Sequence, residues 1–125
     1  MPRILLVDDE PRISRALEFA LRDADVQLAS LSDASQIDDV LEQLRPDAIL
    51  LDIGLASDDG LGLCSRLKRD VRFSEIPIVL LSGQTNAETK AAGFSAGADD
   101  FIAKPFVPTE LIARVRAQIA RRGRA

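Results

Sequence analysis

Short apolar runs alternate with amphipathic stretches along the whole chain. Ile4–Val7 is apolar at every position, as a strand covered on both faces should be. Ile13, Ala16, Leu17, Ala20 and Leu21 then follow the i, i+3, i+4, i+7, i+8 spacing of a helix with one apolar face, and Pro11 suits its first turn. Val26–Ala29 reads as a weaker second strand. Ile37, Val40, Leu41 and Leu44 mark a second helix, with Ser32 or Asp33 available as its cap. Ala48–Leu51 is a third strand, and Leu63, Cys64 and Leu67 lie on a third helix. Ile76–Leu81 is a fourth strand, with Pro77 tolerable near its start. Ala87–Ala96 is a short helix of weak periodicity closed by Gly97, and Phe101–Ala103 is a short fifth strand. Leu111, Ile112, Val115 and Ile119 give the last helix, and Arg121–Ala125 is basic without pattern. A strand–helix unit repeated in this way predicts an α/β fold, with a parallel sheet covered by helices on both faces through right-handed crossovers.

Composition narrows the chemistry. The 125 residues fit one domain, and a hydrophobic fraction of 46% supports a core without staples. The formal net charge of -4 argues against a nucleic-acid binder, which carries a basic footprint. With no histidine, Ser-His-Asp and Cys-His mechanisms are excluded. Cys64 is the single cysteine, so an intrachain disulfide is excluded and zinc is disfavoured; its place in an apolar helical pattern reads as packing. No apolar stretch approaches the roughly 18 residues of a membrane span. The expected location is the cytoplasm.

Sites in open parallel sheets form at the carboxyl ends of the strands. Asp8, Asp9 and Glu10 follow the first strand, Asp52 ends the third, Ser82 follows the fourth, and Lys104–Pro105 follows the fifth. If the first and third strands are neighbours, Asp8, Asp9 and Asp52 share a pocket. Their mutual repulsion would then call for a hard divalent cation, and Mg²⁺ takes oxygen ligands of this kind. Lys104 supplies a point charge and Ser82 a hydroxyl, the groups a transferred phosphoryl needs. A carboxylate can itself accept that phosphoryl as an aspartyl phosphate. Taken alone, Asp8 and Asp9 read as a turn and a helix cap, Ser82 as a turn residue, Phe101 as core and Glu10 as a surface residue at a helix start.

Taken in order, LLVDDE at 5–10, LLDIGL at 50–55, DG at 59–60, LSG at 81–83, GADDFIAKPF at 97–106 and ELIARVRAQIARR at 110–122 resemble the receiver domains of two-component response regulators, the chemotaxis-regulator-like family. The resemblance implies a flavodoxin-like, doubly wound sheet of order 2-1-3-4-5 with five helices. It covers a receiver domain at 1–120, leaving 121–125 as a basic tail or the start of a linker. It implies Asp52 as phosphoacceptor, with Mg²⁺ held by Asp8, Asp9, Asp52 and the backbone carbonyl of Gly54. Ser82 and Lys104 would bind the phosphoryl oxygens. Phe101 would be the aromatic switch that turns inward as Ser82 moves, and a cis bond would precede Pro105.

The implied activity is a signalling switch rather than metabolite turnover, with a histidine kinase or phosphotransfer protein as donor. The domain would bind neither nucleic acid nor membrane directly. Lys90, Asp100, Glu110 and Arg114 resemble the fourth-helix to fifth-helix face of winged-helix regulators and mark a candidate homodimer surface; the plainer reading is a solvated charged face. Two rival functions are a phosphorylation-independent pseudo-receiver and a haloacid-dehalogenase-type phosphohydrolase, whose nucleophile would follow the first strand.

Some positions depart from the family pattern. Ala56 stands where proline is common, which implies a looser loop from Gly54 to Gly60. Gly54 leaves no side chain over the phosphoryl site. Phe101 replaces a frequent tyrosine, and Val107 a common capping residue.

Overall fold

The computed structural model describes residues 1–54 and 59–122. Its elements run β1 (Arg3–Val7), α1 (Pro11–Ala20), β2 (Gln27–Leu31), α2 (Ile37–Leu44), β3 (Ala48–Asp52), α3 (Gly60–Arg69), β4 (Ile78–Ser82), α4 (Ala87–Ser95), β5 (Asp100–Ala103) and α5 (Pro108–Arg122). All strand pairs are parallel, in the order β2-β1-β3-β4-β5. This is the expected doubly wound, flavodoxin-like α/β fold.

The apolar runs of β1, β3 and β4 are buried on both faces because alternate residues serve different layers. Leu5, Val7, Ile49, Leu51, Ile78 and Leu80 pack against Ile37 and Leu41 of α2 and Leu63, Cys64 and Leu67 of α3. Ile4, Leu6, Leu50, Val79 and Leu81 face the other way, against Leu17 of α1 and Leu111, Ile112 and Val115 of α5. Cys64 is a free, buried member of this packing, and burial pushes its thiol up to about 11.

Several local expectations are corrected. β2 is Gln27–Leu31 rather than Val26–Ala29; Val26 is buried before the strand, where its N–H bonds the Ala24 carbonyl. β4 starts at Ile78, because Ile76 and Pro77 form the buried approach to it. Neither Ser32 nor Asp33 caps α2. Its N-cap is Gln36, and the Asp33 carboxylate is taken by the N–H and hydroxyl of Ser35. Ala16 and Ala20 of α1 are exposed, and Leu17, with partly buried Ile13 and the C-cap Leu21, carries the helix's contact with the sheet. The last helix continues through Arg121 and Arg122, so those two residues of the expected tail are helical; 123–125 lie outside the described residues. No helix is long and apolar enough to cross a membrane among the described residues.

Candidate functional site

The strand register puts the polar strand ends at one edge of the sheet. Val7 pairs with Leu51, Asp52 with Leu81, and Ser82 with Ala103, so Asp8, Asp52, Ser82 and Lys104 leave the sheet at the same level. Backbone hydrogen bonds extend the ladder to them: Asp8 N–H to the Leu31 carbonyl at 3.0 Å, Ile53 N–H to Leu81 at 3.1 Å, and Lys104 N–H to Ser82 at 2.8 Å. The peptide bond between Lys104 and Pro105 is cis, as expected.

Lys104 is the centre of the charge arrangement. Its ammonium donates to Asp52 Oδ2 at 2.6 Å and lies 3.2 Å from Glu10 Oε1 and 3.5 Å from Asp8 Oδ2. The Asp8 and Asp52 side chains are buried, at 0% and 4% exposure. Burial works against the Lys104 charge, but the Asp52 hydrogen bond and the attraction of Asp8, Asp52 and Glu10 outweigh it and hold its pKa above the ordinary lysine value. For Asp8, burial dominates and raises the pKa. The Glu10 N–H bond and the Lys104 charge pull it down, while the Asp52 and Glu10 carboxylates push it further up.

Each acid is also oriented by backbone. Asp8 Oδ1 accepts from the Glu10 N–H at 2.7 Å, and Asp52 Oδ1 from the Gly54 N–H at 2.8 Å. Ser82 Oγ accepts from the Gln84 N–H at 2.9 Å, which leaves the Ser82 hydroxyl hydrogen to donate elsewhere. Glu10, Asp52, Gly54, Ser82 and Lys104 line one cleft of about 370 Å³.

A divalent cation fits this donor set. Asp8, Asp9, Glu10 and Asp52 each offer a carboxylate oxygen, all within 4.8 Å of one another. Asp8 Oδ2 is buried without a hydrogen-bond partner, the kind of orphan acceptor a hard cation satisfies. Sequence reasoning set Glu10 aside as a surface residue, yet its carboxylate belongs to this cluster. The available signal was its adjacency to Asp8–Asp9 at the start of α1.

The other expected residues lie apart from this cluster. Phe101 is 6% exposed and packs inward below α4. A Cβ on Gly93 would meet its ring at 3.2 Å. Arg114 pairs with Asp100 at 3.4 Å and Glu110 at 3.3 Å within the same chain, and with the Phe101 carbonyl at 3.3 Å; Lys90 is exposed nearby. Val107 is exposed before α5. Ala56, and with it the centre of the Gly54–Gly60 loop, lies outside the described residues.

A family model for the response regulator receiver domain matches residues 4–116. The DNA-binding dual master transcriptional regulator RpaA of Synechocystis sp. is 40% identical over 124 residues, which are 99% of this chain and 52% of RpaA. The DNA-binding response regulator MtrA of Mycolicibacterium smegmatis is 41% identical over 119 residues, 95% of this chain and 51% of MtrA. The chain therefore spans about half the length of the curated relatives it matches. Among solved structures, the BeF3-activated N-terminal receiver domain of Klebsiella pneumoniae RstA matches with a TM-score of 0.84 at 29% identity, covering 94% of this chain and 97% of that one.

Proposed function

Because this chain belongs to the response regulator receiver domain family, we propose that it is a signalling phosphoacceptor that takes a phosphoryl group onto Asp52 in a Mg²⁺-dependent reaction. The observation that carries the reading is the Lys104 ammonium 2.6 Å from the Asp52 carboxylate, in a cleft that also contains Ser82. An Asp52 carboxylate oxygen forms the new O–P bond as the donor's bond to phosphorus breaks. With a phosphohistidine donor the electron pair of the P–N bond returns to the imidazole. The Gly54 N–H holds the carboxylate orientation during attack. Lys104, already at the acceptor, meets a phosphoryl oxygen, and the Ser82 hydroxyl is free to donate to another. Asp8, Asp9 and Asp52, with the Gly54 carbonyl, would hold Mg²⁺, which supplies charge neutralisation at the phosphoryl oxygens.

The donor is a histidine kinase or phosphotransfer protein, and the site of action is the cytoplasm. The new charge would draw the Ser82 hydroxyl toward the phosphoryl and alter the α4–β5–α5 surface; Phe101 is already packed inward, so its part would be to hold that inward position rather than to rotate into it. Glu110, Asp100, Lys90 and Arg114 would form the homodimer face there. Arg114 pairs with Asp100 and Glu110 within its own chain, so dimer formation would exchange these contacts rather than add to them. DNA binding, which the names of RpaA and MtrA state for those proteins, would belong to sequence outside the matched half.

The test is intact mass after incubation with acetyl phosphate, with and without Mg²⁺, for wild type and Asp52→Asn. One Mg²⁺-dependent phosphoryl adduct, absent from the variant, is expected. No adduct on wild type would leave the pseudo-receiver, and an adduct retained by Asp52→Asn and placed on Asp8 by peptide mass analysis would favour the phosphohydrolase.

A further inference from the structure

Lys104 is shared by a carboxylate that neither the strand ends nor the helix requires. Glu10 is the N-cap residue of α1, but its side chain makes no capping hydrogen bond. Its N–H is fixed to Asp8 Oδ1, so the side chain starts from a held backbone and reaches Lys104 at 3.2 Å. It is 56% exposed, whereas the Lys104 side chain is 14% exposed, so Glu10 stands at the outer side of the pair. It lines the cleft that contains Asp52 and Ser82.

We infer that Glu10 is a positioning residue that gates the site by charge: it holds Lys104 and places a negative charge where an anionic phosphoryl donor must enter. The inference rests on Asp52 being the acceptor. With acetyl phosphate, Asp52 forms its O–P bond as the phosphorus–acetate oxygen bond breaks, and acetate leaves with the electron pair. No proton moves, and the site must admit a dianion. Phosphoramidate carries a net charge of about -1 at neutral pH; its P–N bond breaks and ammonia leaves. Repulsion by Glu10 scales with donor charge. A residue that only supports the fold would affect both donors alike.

The experiment compares phosphorylation rates of wild type, Glu10→Gln and Glu10→Ser with both donors, read by intact mass at saturating Mg²⁺ and low salt. Glu10→Ser keeps a good N-cap residue, so it repeats the charge loss on an independent background. Both variants are expected to react faster with acetyl phosphate by roughly three- to tenfold, and with phosphoramidate by only about two- to threefold. High salt should narrow the gap between donors as screening shortens the reach of the charge. Equal changes with both donors, no change, or slower reaction with both would overturn the gate. Failure of the wild type to be phosphorylated at all would instead overturn the reading of Asp52.

Discussion

Replacing Asp8 by Asn should stabilise the metal-free protein, although it removes a carboxylate of the acidic cluster. The Asp8 side chain is wholly buried, and its Oδ2 lacks a hydrogen-bond partner. Lys104 offsets this incompletely: at 3.5 Å from Asp8, the same ammonium is engaged at 2.6 Å by Asp52 and at 3.2 Å by Glu10. Burial raises the Asp8 pKa, so its folded-state value lies above the unfolded one. Such a group favours folding below its unfolded pKa, and that contribution is lost as pH rises through the folded pKa. At neutral pH the carboxylate is therefore a net burden. Asparagine keeps an oxygen for the Glu10 N–H and removes the buried charge. The unpaired Oδ2 acceptor, which costs about 1–3 kcal/mol, becomes an amide N–H donor within reach of the Asp52 and Glu10 carboxylates, so about 1–3 kcal/mol is the upper limit of the gain. For a domain of this size each kcal/mol raises Tm by about 3–6 °C.

The assay is urea unfolding followed by far-UV circular dichroism, because the chain has neither Trp nor Tyr to report by fluorescence. In chelator, Asp8→Asn should unfold at higher urea than wild type. Mg²⁺ at a hundred times its Kd should stabilise wild type by about 2.7 kcal/mol. The same Mg²⁺ concentration should stabilise the variant much less, since one oxygen donor is gone. A variant less stable than wild type in chelator, or one gaining as much from Mg²⁺, would refute the reasoning.

Two further outcomes follow from packing. Gly60→Ala places a Cβ 2.5 Å from Ile53 Cα and 2.8 Å from the Asp52 carbonyl oxygen, both rigid backbone. The start of α3 must then move off the end of β3, so a loss of about 3 kcal/mol in urea unfolding is expected, with slower phosphorylation because Asp52 sits at the displaced junction. The Cys64 thiol, pushed up to about 11 by burial, should resist a disulfide reagent at pH 8 in the folded protein and react fully in urea; rapid labelling of the native chain would contradict its packing role.

What the sequence reveals depends on how completely an element is buried. β1, β3 and β4 are covered on both faces, so they read as unbroken apolar runs. β2 is an edge strand whose Gln27 and Ser30 are exposed, and its pattern was too diluted to place its ends. α4 shows weak periodicity because only Gly93 is buried; the helix approaches the sheet through a missing side chain rather than an apolar stripe. The acids, Ser82 and Lys104 were legible as strand-end groups. Strand order, which brings Asp8 beside Asp52, was carried by the family resemblance and not by periodicity. Glu10 escaped because an acid at a helix start has an ordinary explanation, and only the fold brings Lys104 from 94 residues away onto it.

The two edges of the sheet differ in how completely their charges are paired. At the amino edge, Asp99 Oδ2 accepts from the Ile78 N–H at 2.9 Å and from Lys68 at 3.1 Å, and Lys68 also donates to the Ile76 carbonyl at 3.0 Å. Lys68 and the Asp99 carboxylate each meet two partners there, and the cluster ties α3, β4 and the approach to β5 together. At the carboxyl edge one cation serves three carboxylates and an acceptor is left over. A sheet pinned at one edge can tolerate unsatisfied charge at the other, because the cost is local and the strand register is held elsewhere. That leftover negative charge would favour a metal ion, whereas the Lys104 ammonium is the group that would meet an anionic phosphoryl. On the proposed reading, the unpaired buried carboxylate of Asp8 would be a source of metal affinity, and relieving it by mutation should trade responsiveness for stability.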